Sequence, residues 1–284
     1  MAVSFKGAHF PKDVMLMGVR WYVAYPLRTR PVEELRLERG VHVDHATINR
    51  WVSTQSPQLE DAFHRRKRPG WVSWRLDETY IKVTGEWRYL DRAVDKHGQT
   101  IDFLLTAHRD TEAALRFLQH AIRRHGRPET ITIDDSGANE AAIKRYNEEH
   151  GTAIAIRRVK YLKHVVEQDH RAVKRVTRPM LGFKSCEAAA STLVGIVLMH
   201  LLRKGQREDG VAQGLTAAEQ VTALAASSPR RPRQLLSYRL HTQICDIYGP
   251  AAGVKARSNG HTTEDRCGHL AGLLNEGAFR PFWP

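Results

Sequence analysis

Hydrophobic positions change their period along this chain. Between Pro11 and Phe63 the apolar residues recur at helical spacing. The run VMLMGVRWYVAYPL is periodic and ends near Pro26, PVEELRLERG opens on Pro31 and stops at Gly40, and VDHATINRWVSTQ follows Asp44, a residue suited to an N-cap. A short helix, a glycine-containing turn and a capped second helix form a helix-turn-helix pattern. In that pattern Thr47, Asn49, Arg50 and Ser53 would face a DNA major groove. A plain three-helix bundle would leave the same trace.

From Trp71 the alternation becomes strand-like. WVSWRLDETYIKV, EWRYLDRAVD and TIDFLLTAHR predict three strands, with turns at Thr84-Gly85 and Lys96-His97-Gly98, and hence an antiparallel meander. Asp110 to His125 has an acidic start, helical spacing and a basic end, as a helix dipole favours, and Gly126, Arg127 and Pro128 close it. A fourth strand in ETITID, a helix from about Asn139 to His150, a fifth strand in TAIAIRRV and a helix over 164–178 complete the order. The pattern βββαβαβ followed by a helix predicts an α/β fold of ribonuclease-H-like type: a mixed five-stranded sheet with helices, preceded by a small all-α helix-turn-helix domain. The divisions expected are helical residues 1–63, a basic linker 64–70, a catalytic domain 71–226 and a basic tail 227–284. The longest apolar run, Ala188 to Leu202, is short for a bilayer and contains Ser191, Thr192 and His200, so it reads as a buried helix with no membrane partner.

Composition adds a polyanionic partner to this picture. A chain of 284 residues with 42% hydrophobic content can build a substantial core, and a net charge of +13 points to nucleic acid, although charge alone also fits a ribosomal or membrane-surface protein. HRRKRPG, from His64 to Gly70, concentrates that charge where a linker would track phosphates; a solvated surface loop is its plain alternative. Cys186, Cys245 and Cys267 are far apart and form no CxxC pair, which fits a reducing cytoplasm, and MAVSFKGAHFPKD lacks the apolar core of a signal peptide.

Three acids then stand out by context: Asp77 and Asp134 in β-branched strand runs, and Glu167 opening a helical run with a basic face. Phosphodiester chemistry needs an activated nucleophile and a stabilised leaving oxygen, and two divalent ions held by carboxylates supply both. Oxygen donors suit Mg²⁺ or Mn²⁺, so Asp77, Asp134 and Glu167 are the candidate metal ligands and catalytic residues. Glu167, Arg171, Lys174 and Arg178 fall on one helical face at about 100° per residue. That face would place a carboxylate above a basic ladder for DNA phosphates, while Val166, Val173 and Val176 face the core; a surface helix with routine ion pairs has the same spacing. Among competing acids, strand alternation turns Glu78 away from Asp77, Asp169 lies roughly 200° around the helix from Glu167, and Asp134 is preferred to Asp135. Asp91, Asp95 and Asp102 read as turn or surface acids.

At these residues a resemblance becomes specific. VDHATINRWV, RRKRP, SWRLDETYIKVTGEWRYLDRAVDKHGQTIDFLLTAHRDTEAALRFL, TIDDSGAN, VVEQDHRAVKRVTRPMLGFKS and the later Lys204 to Gln206 are similar to the DDE transposases of bacterial insertion-sequence family six, over about Phe5 to Ala226. The resemblance implies Asp77, Asp134 and Glu167 as the catalytic triad and Lys174 as a DNA contact. It also implies two Mg²⁺ or Mn²⁺ ions, double-stranded DNA of element ends and target as partners, and a homodimer or higher oligomer in a bacterial, nucleoid-associated setting. Its outcome is replicative transposition with cointegrate formation. The chain departs from the family at Asp135, where a Lys is expected, at Lys163 and His164, where an Asn pair is usual, and at Asp91 in place of Tyr. Asp135, with the unmatched tail, leaves a second reading: an element product that binds DNA ends without catalysis.

Overall fold

The structure is a computed structural model that describes residues 3–5, 9–134, 136–159, 163–209 and 213–226. Asp135 and the expected tail 227–284 lie outside the described residues.

Three helices lead: α1 (Lys12–Ala24), α2 (Thr29–Leu37) and α3 (His45–His64). Asp44 caps α3, its carboxylate accepting from the amide and the hydroxyl of Thr47, both at 2.8 Å. The α3 helix continues through Pro57 to His64, past the segment whose spacing announced it. Arg36 of α2 is fully buried, its guanidinium 6.0 Å from the Trp21 ring and 5.9 Å from the Trp51 ring, so a cation between two indoles pins α2 to α1 and α3.

The sheet follows in the predicted order: β1 (Ser73–Val83), β2 (Glu86–Asp95), β3 (Thr100–Thr106), α4 (Thr111–His125), β4 (Thr130–Ile133), α5 (Gly137–His150), β5 (Ala155–Arg158) and α6 (Lys163–Thr177). Its spatial order is β3-β2-β1-β4-β5, with β2 antiparallel to β1 and β3, and β4 parallel to β1 and β5. This is the ribonuclease-H-like arrangement. The β1–β2 hairpin turns on Thr84 and Gly85, both at positive φ (51° and 86°), as a tight two-residue loop requires. Alternation then divides β1 between two layers. Trp74 and Leu76 pack with α4 and α5 residues such as Phe117 and Ile143, whereas Ile81 and Val83 pack on the other side with Val173 of α6 and Leu193 of α7.

A 3₁₀ turn (Arg178–Met180) leads to α7 (Cys186–Arg203), and α8 (Ala217–Ala226) ends the described chain. The α7 helix is apolar enough for a bilayer by length and composition, yet its side chains are buried among α1, α3, α6 and α8. Gly195 permits this approach, because a Cβ there would lie 2.7 Å from Ser56 Oγ of α3 and from Val23 Cγ1 of α1. The leading helices therefore carry no separate core: α1, α2, α3, α7 and the outer half of β1–β2 share one apolar cluster.

Two sequence expectations are corrected here. The basic segment after α3 is tied down at Lys67 and Arg68, which sets aside its plain alternative, a wholly solvated loop. Lys67 donates to Ile101 O at 2.5 Å, Arg68 N donates to Gln206 O at 2.9 Å, and burial pulls the Lys67 ammonium down to about 8. Arg65 and Arg68 remain exposed. Asp91 and Asp102, expected as turn or surface acids, are buried in the sheet, whereas Asp95 is a turn acid as expected, though a buried one. Asp95 closes the β2–β3 turn, its Oδ1 accepting from His97 N and Gln99 N at 2.9 Å and its Oδ2 from Trp71 N at 3.2 Å. Asp102 lies beside His120 at 3.2 Å, His125 at 3.4 Å and Arg124 at 3.6 Å. Burial would raise its carboxyl, but His120 and Arg124 outweigh that and hold it well below the usual range.

Candidate active site

Asp77 and Asp134 are carried by two strands that pair in parallel, β1 and β4. β1 and β4 run parallel with Ser73 opposite Thr130, Trp74 opposite Ile131 and Arg75 opposite Thr132. The same offset, carried two residues further, sets Asp77 level with Asp134 at the point where β4 ends. Asp134 opens the turn into α5, its Oδ1 accepting from Ser136 N at 2.9 Å. Carboxyl ends of parallel strands are where open α/β sheets place their ligands.

The α6 helix crosses on the Asp77 side of the sheet. His170 Nε2 stands 3.5 Å from Asp77 Oδ2, and His170 is 5% exposed. Glu167, one turn earlier on the same side of α6, is exposed and meets His164 Nδ1 at 3.2 Å. Each of these two acids thus has a histidine beside it. Among the described residues no three His, Cys, Asp or Glu side chains are gathered closely enough to hold a metal ion. The β1–β4 register, extended past its last pair, carries the two aspartates to one level, while Glu167 is carried to the same side by α6 and is exposed.

Asp169 shows why the helix is set as it is. Its carboxylate has no exposed surface and accepts from Arg92 Nε at 3.0 Å and from a second Arg92 nitrogen, from Thr100 Oγ1 at 2.9 Å, from Lys204, and lies 2.6 Å from His200 Nε2. Burial alone would raise this carboxyl; the Arg92 guanidinium with His200 and Lys204 reverses that and holds it ionised far below the ordinary range. Asp169 is therefore the pin between α6 and β2, and Glu167, two residues back, is left on the other side of the helix. Val166, Val173 and Val176 fill the core face as the spacing predicts.

Glu78 lies across the sheet from Asp77, as alternation requires. It accepts from Asn139 Nδ2 of α5 at 3.1 Å and pairs with Arg109 at 3.3 Å. Burial raises its carboxyl; Arg109 opposes this, and the charges of Asp134 and Asp77 add to it. Asp91, its cross-strand neighbour, is pushed up to about 7 by burial and then by Glu78. Of the basic ladder, Arg171 and Arg178 are exposed and Lys174 is half-buried; Arg178 belongs to the 3₁₀ turn, not to α6. On α3, Arg50 is exposed and Asn49 and Ser53 are half-buried, whereas the Thr47 hydroxyl is committed to Asp44.

Comparison with known proteins decides the family. The DDE domain family model (DDE_Tnp_IS240) matches residues 71–206, a span that contains all three acids. The transposase for insertion sequence-like element IS431mec of Staphylococcus aureus (strain N315) is 34% identical over 231 residues, covering 78% of this chain and 99% of the relative. The chain belongs to the DDE transposases of insertion-sequence family six. A second relative, the transposase for insertion sequence element IS257 in transposon Tn4003 of Staphylococcus aureus, has the same identity and coverage. Among solved structures, the HTLV-2 integrase catalytic core domain in complex with magnesium aligns at a TM-score of 0.33 with 14% identity, covering 56% of this chain and 86% of that one.

Sequence reasoning about this transposase missed His170, Arg92 and Asn139. His170 was legible as the residue one helical turn after Glu167. Arg92 was not, because a lone arginine in a strand gives no sign that an acid 77 positions away will meet it. The motif ending in Lys204 and Gln206 carried a signal without a role, and the structure supplies one. Lys204 Nζ reaches Gly98 O at 2.6 Å, and Gln206 accepts from Thr100 N at 3.1 Å and donates to Thr100 O at 3.0 Å, so the motif clamps β3.

Proposed function

We propose that this transposase cuts DNA at the terminal inverted repeats of its element and joins the strands to target DNA by replicative transposition with cointegrate formation. Asp77, Asp134 and Glu167 are its catalytic acids. The observation that supports this most directly is the parallel β1–β4 register, which extended two residues would level the two strand acids, with α6 laid against Asp77 through His170. The donor set is all carboxylate oxygen, which fits hard divalent cations such as Mg²⁺ or Mn²⁺. When bound, two such ions activate the attacking oxygen and stabilise the leaving one. The protein's own part is to fix the donors: Ser136 N orients Asp134, His170 abuts Asp77, and the Arg92–Asp169 pair locks the pitch of α6 so that Glu167 has a set position.

Arg171, Lys174 and Arg178 extend from Glu167 along one side and suit DNA phosphates, which carry most of the affinity in such complexes. Asn49 and Arg50, with Thr47 holding the start of the helix, suit base recognition by α3. A homodimer or larger assembly follows from the need to hold two DNA ends. The test is incubation of the full chain with oligonucleotides bearing the element's ends, with and without Mg²⁺ or Mn²⁺. Nicked and joined products are expected from the native chain and none from Asp77→Asn. End binding with no metal-dependent product would overturn the catalytic reading and leave a DNA-end-binding protein.

A further inference from the structure

The outer face of the β1–β2 hairpin carries side chains that strand cutting by the three acids leaves unexplained. Pairing sets Glu78 opposite Asp91, Tyr80 opposite Tyr89 and Lys82 opposite Trp87, and the two-residue period puts all six on one face. On the reverse face Ile81, Val83 and Leu90 are buried. The outer face is covered by the α4 and α5 layer from Trp74 and Leu76 to the level of Glu78 and Asp91, where Asn139 of α5 meets Glu78. Beyond Glu78, Tyr80 and Trp87 stand 48% and 63% exposed. The rings form a strip: Tyr80 lies 5.3 Å from Tyr89 and 6.5 Å from Trp87, with Lys82 Nζ 6.0 Å from the Trp87 ring. At the inner end Glu78 holds Arg109, whose side chain is 42% exposed.

We propose that this strip binds unpaired bases of the DNA strand being processed, with Tyr80, Tyr89 and Trp87 as stacking surfaces and Lys82 and Arg109 on adjacent phosphates. The proposal rests on the reading of Asp77 and Asp134 as strand-cutting acids. A base inside a duplex has both faces covered by its neighbours, so an exposed aromatic ring can stack only on a base that has left the helix. The strip begins one residue beyond Asp77 on the same strand but on the opposite face of the sheet, so nucleotides displaced from a strand end at the acids would reach it round the turn of the β1–β2 hairpin. Charge separates this occupant from a second copy of the chain. A rim of Lys82 and Arg109 complements a polyanion, whereas another copy carries the same +13.

The experiment measures binding of the full chain, without divalent metal, to a labelled oligothymidine and to a fully paired duplex of equal length. Trp87→Ala and Tyr80→Ala are each expected to weaken oligothymidine binding about tenfold, as loss of one stacking surface does, while duplex binding is unchanged. Trp87→Phe keeps a ring and is expected to restore most of the affinity. Equal loss on both probes, or no loss on either, overturns the proposal. Unchanged binding with loss of self-association in sedimentation also overturns it, and assigns the strip to contact between copies. The two readings fail separately: cleavage that survives Asp77→Asn sinks the catalytic assignment, whereas Asp77-dependent cleavage with undiminished oligothymidine binding by Trp87→Ala sinks only the strip.

Discussion

Replacing Asp169 with alanine tests how α6 is held. Asp169 and Arg92 have no exposed side-chain surface, and the carboxylate also receives Thr100, His200 and Lys204. Removing it leaves the Arg92 guanidinium as a buried charge without its counter-ion, and breaking a buried pair in this way costs about 3–5 kcal/mol. Total stabilities run to about 5–15 kcal/mol, so the loss is a large fraction. In a folded unit of this size each kcal/mol moves the midpoint by about 2–4 °C, which gives a fall in Tm of roughly 10 °C. The measurement is thermal unfolding followed by circular dichroism, repeated as a function of pH. The folded carboxyl is depressed, so its contribution is fully present above the unfolded value of about 4 and is lost as pH falls below that. The native chain and Asp169→Ala are therefore expected to differ most near neutrality and to converge in acid. A shift in Tm under about 2 °C at neutral pH would refute the account of Asp169 as the pin.

Asp91→Asn has the opposite sign. The folded carboxyl is raised to about 7, so its neutral form stabilises below the unfolded value near 4 and that stability is lost as pH rises through about 7; the variant should gain on the native chain between pH 5 and 8, by on the order of 1–3 kcal/mol in urea titrations. Gly195→Ala should lose about 1–3 kcal/mol despite alanine's better helix propensity, because its Cβ meets Ser56 and Val23 at 2.7 Å; an unchanged denaturation midpoint would show that α1 and α3 move aside freely. Asp44→Ala should cost about 1 kcal/mol by removing the α3 cap, read in the same titration. Arg171→Ala and Lys174→Ala should each lower the slope of log binding constant against log salt by about 0.9 if each meets one duplex phosphate; an unchanged slope would remove that residue from the interface.

Local chemistry made much of this transposase legible before any coordinates. Periodicity gave the order of strands and helices from β1 to α6, because hydrophobic spacing is set by the pitch of each element and needs no distant partner. Asp44 as a cap, the Thr84-Gly85 turn and the buried valines of α6 belong to the same class of local signal. The sequence also separated Asp77 from Glu78, since alternation along a strand decides which face each side chain takes.

What only the tertiary structure decided is contact between segments far apart in the chain. Asp91, Asp95 and Asp102 read as turn or surface acids because an isolated aspartate looks soluble; Asp95 does close a turn, but burial of all three became tolerable only where Thr106, the β2–β3 turn amides and the His120–Arg124 pair closed around them. The attachment of Lys67 was hidden because nothing nearby in sequence announces Ile101 as its acceptor. For the three acids, sequence proposed the candidates through their local context, two in strand runs and one opening a helix. The β1–β4 offset decided how Asp77 and Asp134 line up, and the buried Arg92–Asp169 pair fixed the helix that bears Glu167. Register and ion pairing act between elements, and that is why they are absent from any single stretch of the chain.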